Sequence, residues 1–241
     1  MNCEKIWEIE KFEGAEYLFE IQKFLFIEYC RIFGDDIMYA EPCRIYNDPQ
    51  AESPMIIINT TPILIRIAQT SLSYWAQTIF QLSHELCHYA IRQSKTDKNF
   101  TLSWFEEIVC EAVSLYILKW SAENWSLCSL SRIAQSFGES IHSYLMDELG
   151  KVGTNDFQKC ISLELLKGYE FQQSEPRETH RNERNLLYYE ILKKPEDIKK
   201  LCYYDCYLQD NRITIDFNKW IKNNDNQLVR FFSNIQPVKE N

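Results

Sequence analysis

Apolar residues recur at helical spacing through Tyr17, Leu18, Ile21, Phe24, Leu25 and Tyr29, and Gly34 follows as a stop. This predicts an amphipathic helix over Glu13 to Phe33. The period then changes. Arg44-Ile45-Tyr46, Met55 to Asn59 and Ile63 to Ile67 are short, partly β-branched and punctuated by Pro42, Pro49, Pro54 and Pro62, which reads as strands of a small sheet. Helical spacing returns with Trp75, Ile79, Leu82 and Leu86, a stripe that buries one side of a helix from Ser73 to Arg92. A polar loop, Gln93 to Thr101, leads to a second strong helix. Ser103 and Glu106 have capping-box spacing, and Ile108, Val109, Ala112, Leu115, Tyr116 and Leu118 supply the apolar content.

The rest reads as helices over Leu130 to Leu149 (ending at Gly150), Asp156 to Leu166 (ending near Gly168), Thr179 to Leu192 and Pro195 to Tyr207. A strand at Ile213 to Asp216 and helical segments to Phe232 complete the chain. The expected fold is therefore α+β and mostly α-helical, a small N-terminal sheet followed by a helical C-terminal half. We expect one domain, 1–241, with the sheet and two central helices at about 37–121 and a helical wall at about 129–241.

Charge narrows the partners. A net charge of −9 argues against a phosphate-binding surface and so against nucleic acid. Arg177, Arg181 and Arg184 are interleaved with Glu178 and Glu183, as on a solvated helix face. The segment Met1 to Glu10 lacks the apolar run of a signal peptide, and the most apolar stretches, Met55 to Ile67 and Ala112 to Trp120, are interrupted or too short to span a bilayer. The 9 cysteines are an odd number with no C-x-x-C pair, which fits reduced thiols in a cytoplasmic protein.

Chemistry concentrates in His84-Glu85-Leu86-Cys87-His88. On a helix the two histidines, four positions apart, share a face and reach one ion. Glu85 lies about 100° further round, beside the ion's open position, where it serves as general base rather than ligand. The bland alternative is a pair of hydrogen-bonded core histidines. A third ligand has candidates on the next helix: Glu107 and Glu111 are four apart on one face, whereas Glu106 points elsewhere. One of the pair can bind metal while the other orients a histidine through its second ring nitrogen.

The His84-Glu85-x-x-His88 motif, then eighteen residues, then Glu107 within Trp104-Phe105-x-Glu107 resembles the gluzincin class of zinc metallopeptidases. The resemblance covers about Ile63 to Leu118. It implies a zincin-like fold with the sheet packed on the H-E-x-x-H helix, a Zn²⁺ cofactor, His84, His88 and Glu107 as ligands, and Glu111 as the orienting acid or the alternative ligand. It also implies Glu85-assisted hydrolysis of a peptide or protein substrate. The Gly-Met-Glu-Asn motif of the aminopeptidases is absent, and the metzincin continuation is broken at Ile91 and Ser94. Many small members have Gly at the position of Cys87, which we read as a buried apolar thiol. Related enzymes add a Tyr or His donor to the oxyanion; His142, Tyr144, His180, Arg181, Tyr188 and Tyr189 are candidates, His142 the first by residue type.

The expected function is an intracellular zinc endopeptidase with a narrow protein substrate, held along an edge strand. The alternatives are a noncatalytic zinc-stabilised helical interaction module and a helical interaction protein without metal.

Overall fold

In a computed structural model, residues 7–171 and 177–238 are described, without the side chain of Arg177. The first described element is a strand that the sequence pattern did not announce, β1 (Trp7–Ile9), followed by α1 (Ala15–Phe33) and a short turn of helix, α2 (Asp35–Met38). Trp7 fixes β1 by burying its ring and donating Nε1–H to the Met38 carbonyl at 2.8 Å. Three further strands follow at the expected places: β2 (Cys43–Asn47), β3 (Met55–Ile57) and β4 (Ile63–Ile67). The sheet order is β1-β2-β4-β3, with β1, β2 and β4 parallel and β3 antiparallel to β4. β3 is therefore an edge. Ile63, Ile65 and Ile67 point inward while Leu64 and Arg66 are half-buried, the period-two alternation of a sheet covered on one face.

Two long helices form the centre, α3 (Trp75–Ser94) and α4 (Ser103–Glu123). α3 packs on β3, β4 and α1, and Tyr29 of α1 donates its hydroxyl proton to the Ser83 carbonyl at 2.5 Å. α4 is buried nearly all round, packed against α3 on one side and against α5 and α7 on others, as expected of a helix apolar on every face. Its predicted capping box does not form. Ser103 is the first helical residue and Leu102 the cap, without a side-chain hydrogen bond. Glu170 instead accepts the Ser103 and Trp104 amides at 2.7 and 2.9 Å, a remote carboxylate satisfying the exposed N–H groups.

The C-terminal half contributes α5 (Phe137–Gly150), α6 (Leu163–Phe171), α7 (Arg181–Ile191), α8 (Ile198–Leu201), α9 (Phe217–Asn223) and α10 (Gln227–Ile235). Several boundaries differ from the sequence reading. Residues Ser129–Arg132 and Phe157–Lys159 are 3₁₀ turns, α6 runs through Gly168, and Pro195 to Tyr207 breaks into 3₁₀ turns flanking the short α8. The expected strand at Ile213 to Asp216 is reduced to one bridge, Leu208 with Ile215. Buried apolar side chains from Trp7 to Phe232 form one contiguous cluster. The architecture is α+β, mostly helical, with a small mixed sheet.

No helix among the described residues is long and apolar enough to cross a membrane. No disulfide joins two of the eight described cysteines, and Cys3 lies outside the described residues. Arg184 departs from the solvated face expected of it: it is 1% exposed and turned into the core, where Glu111 needs a cation. Arg181 is half-buried, and the side chain of Arg177 lies outside the described residues.

Candidate metal centre

α3 presents His84 and His88 one turn apart, and α4 crosses them so that Glu107 meets both rings. His84 Nε2 and His88 Nε2 are 3.2 Å apart. Glu107 places Oε2 3.3 Å from His84 Nε2 and Oε1 3.2 Å from His88 Nε2. Among the described residues, this His84, His88, Glu107 group is one whose donor atoms converge closely enough to hold a metal ion. Both imidazoles are largely buried, whereas Glu107 is 37% exposed and opens the group to solvent. Glu85 is buried beside them and lines the same cleft, of about 800 Å³. Cys87 is fully buried and outside the converging group.

Electrostatics bind the group together. Burial alone would raise the Glu107 carboxyl, but His84 and His88 outweigh it and hold the group well below the usual carboxylate range. For His88 the balance is the mirror image: burial favours the neutral ring, and Glu107 and Glu106 overcome it, lifting the imidazole well above its ordinary value. The two acids thus favour the protonated ring of His88, and a cation at this group competes with that proton.

The carboxylate that orients a histidine is Glu106, which the helical-face argument set aside. Its Oε2 lies 3.2 Å from His88 Nδ1, so Glu106 fixes the ring through Nδ1 and leaves Nε2 turned toward Glu107 and His84. Oε1 of the same carboxylate accepts from Lys95 Nζ at 2.7 Å and from the Tyr204 hydroxyl at 2.5 Å. Burial opposes ionisation of Glu106, yet His88 and Lys95 hold its carboxyl below the usual range. Burial and the facing Glu106 push the Tyr204 phenol up, keeping it a donor. Tyr204 also accepts the Leu102 amide at 3.0 Å, tying the C-terminal half to the start of α4.

Glu111 does not join the metal group, either as ligand or as orienting acid. One turn beyond Glu107, it is fully buried against the helical wall. There it accepts from Arg184 Nη1 at 2.8 Å, with His180 Nε2 3.8 Å away. His142 is also displaced from the role expected of it. The face of α5 that packs inward carries Ile141, Leu145 and Glu148, leaving His142 exposed beside Trp125 and Glu139, in a separate surface hollow.

Of the six expected oxyanion donors, His180 lines the metal cleft. It is 4% exposed, and its Nδ1 lies 3.4 Å from the Thr179 hydroxyl and 3.5 Å from that of Tyr169, while Nε2 is buried with no hydrogen-bond partner among the described residues. No signal in the sequence ranked His180 above the others, because its position depends on how α6 and α7 pack against α4.

The fold and site thus define a mostly helical α+β protein with a His/His/Glu group able to hold a metal ion beside a buried glutamate. Comparison with family models, curated proteins and solved structures finds no match to the chain.

Proposed function

We propose that the protein is a zincin-like, zinc-dependent metallopeptidase in which His84, His88 and Glu107 hold the ion and Glu85 is the general base. The observation that carries this reading is the donor triangle. Zinc bonds of about 2.0–2.1 Å at tetrahedral angles set neighbouring donor atoms about 3.3 Å apart. The two imidazole nitrogens are 3.2 Å apart and each faces a different oxygen of Glu107, at 3.3 and 3.2 Å; with one donor atom from each residue, the three lie within 4.8 Å of one another. Two neutral imidazoles and one carboxylate are a donor set that suits zinc and leaves its fourth position open.

A zinc ion held there supplies Lewis acidity toward a carbonyl and lowers the pKa of water. The chain's own residues carry the rest. Glu85 takes a proton from the attacking water and returns it to the leaving amine. His180, which lines the cleft, is the residue assigned to donate to the oxyanion of the tetrahedral intermediate. β3 is the sheet edge and lines the cleft with Met55 and Ile56, so an extended peptide adds there as a further strand. Removal of water from His84, Glu85 and Glu106 by burial strengthens every charge interaction around the bond under attack.

This reading is favoured over a noncatalytic zinc-stabilised interaction module by the cleft itself. A structural zinc site is closed by four protein ligands, whereas three converge here and a glutamate stands beside them. Glu85→Gln tests it. Peptide cleavage is expected to fall by about 10²–10⁴-fold while one zinc per chain is retained. Unchanged cleavage, or loss of zinc with Glu85, contradicts the assignment.

A further inference from the structure

The cleft continues past the metal group along α3, and what lies there is positively charged. Arg92 follows His84 and His88 on the same helical face, about 6 Å further along the axis. Lys95 and Lys98 line the same end. Lys95 is consumed by its ion pair with Glu106. Arg92 and Lys98 remain, against one nearby carboxylate, Glu41, which Lys98 Nζ engages at 2.7 Å. The other acid at this rim, Glu52, is exposed to solvent. In a chain of net charge −9, Arg92 and Lys98 thus share Glu41 as their one ion-pair partner at this end of the cleft.

The guanidinium is held with one edge unused. Nη1 of Arg92 donates to the Lys98 carbonyl at 2.6 Å, which fixes the plane of the group. Nη2 stands 4.0 Å from Glu41, outside hydrogen-bond reach, and Nε is buried with no hydrogen-bond partner among the described residues. Nε and Nη2 are the two parallel donors by which arginine grips a carboxylate in a bidentate fork. Nε is covered by protein, so Nη2 is the donor an arriving carboxylate meets. A guanidinium committed to structure alone would spend this edge on protein acceptors.

We infer that Arg92, assisted by Lys98, is a carboxylate subsite of the cleft, selecting peptides that carry a carboxylate within about two residues of the bond presented to Glu85. The span follows from the roughly 3.3 Å rise per residue of an extended chain. The inference rests on the peptidase reading for the register of that carboxylate. Its source is either an internal Asp or Glu side chain, giving an endopeptidase of acidic specificity, or the free α-carboxylate of a chain end, giving a carboxypeptidase. No bond is made or broken by Arg92; it is a specificity-determining residue.

Two peptide sets test this, read by calorimetric binding to the zinc-loaded Glu85→Gln protein and by mass-spectrometric cleavage with the unaltered protein. One set has blocked ends and compares internal Asp and Glu with Asn and Gln. The other has no acidic side chain and compares a free C-terminus with its amide. At least one carboxylate arm is expected to exceed its neutral counterpart about tenfold, and which arm it is separates the two sources. Adding Arg92→Gln is expected to bring the ratio to within twofold without weakening the neutral peptides. Arg92→Glu is expected to shift preference toward Lys at the same position, a gain that misfolding does not produce. Lys98→Gln, which keeps the guanidinium in place, is expected to lower the ratio by a smaller factor.

Equal binding of acidic and neutral peptides, no binding of either, or a preference that survives Arg92→Gln overturns the subsite. Binding with the expected preference but no cleavage by the unaltered protein overturns the peptidase reading and leaves the subsite standing. Cleavage without preference does the reverse.

Discussion

Glu106 and Glu111 are two buried carboxylates on the same helix, on either side of Glu107, and the protein puts them to different uses. Glu106 meets Lys95 at 2.7 Å and His88 at 3.2 Å; Glu111 meets Arg184 at 2.8 Å and approaches His180 at 3.8 Å. Each ion pair is almost wholly removed from water, where the desolvation penalty rivals the Coulombic gain. The first pair also orients His88 of the candidate metal group. The second joins α4 to α7 behind the proposed oxyanion donor. Burial alone therefore does not mark a carboxylate as part of the metal centre; the imidazole nitrogen it faces does.

The sharpest way to break the comparison is to remove each acid. Glu106→Ala leaves Lys95 buried and unpaired, and Glu111→Ala does the same to Arg184, so each is expected to destabilise the protein by about 3–5 kcal/mol in denaturant unfolding. Their metal affinities are expected to diverge. Loss of Glu106 weakens zinc by about 10–100-fold in chelator competition, as loss of a histidine's orienting partner does. Loss of Glu111 leaves affinity nearly unchanged. Equal effects on affinity would erase the distinction drawn here.

A second contrast lies between the two histidines outside the metal group. His180→Ala is expected to lower the cleavage rate by about 10²–10³-fold with zinc retained, the scale of losing one oxyanion donor. His142→Ala, on an exposed surface, is expected to change neither rate nor zinc content and to shift stability by no more than about 0.5 kcal/mol. The reverse ranking would return the role to α5.

The smallest effect is a change in the sign of a slope with pH. Without metal, Glu106 and Glu107 have lowered pKa values, so their contribution is complete above the ordinary 4.5 and fades as acid titrates the folded carboxylates. His88 is raised, so its contribution is complete below the ordinary 6.5 and fades as pH rises through its folded value. The metal-free protein is thus expected to lose melting temperature between pH 6 and pH 8. The zinc-loaded protein gains over the same interval, because zinc requires His88 without its proton. Parallel thermal melts check both slopes.

Much of this arrangement is legible in the sequence. The stripes that define α1, α3 and α4 and the proline-bounded strands β2, β3 and β4 are local patterns, and the structure has them within a few residues. The H-E-x-x-H spacing and the later Glu107 mark the residues whose donor atoms converge. What escaped depends on contacts distant in sequence. β1 is three residues long and exists through its pairing with β2. The N-terminus of α4 is capped by Glu170 from α6 rather than by its own Ser103. Arg184 sits in a run of alternating charge that looks solvated, yet Glu111, 73 residues earlier, draws it inward.

The exchange of Glu111 for Glu106 has the same origin. Residues four apart share a helical face, but the two nitrogens of one imidazole face different directions. Neighbouring Glu106 and Glu107 therefore take one nitrogen each of His88. Helical periodicity selects residues that point the same way; it does not show which edge of a partner ring they meet.

The most direct test of the account is the zinc content of the purified, folded protein, compared with that of Glu107→Ala and Glu111→Ala. The account predicts about one zinc per chain, lost with Glu107 and retained without Glu111. A folded protein that takes up no zinc on reconstitution, or one that keeps it without Glu107 and loses it without Glu111, would contradict the metal centre proposed for this fold.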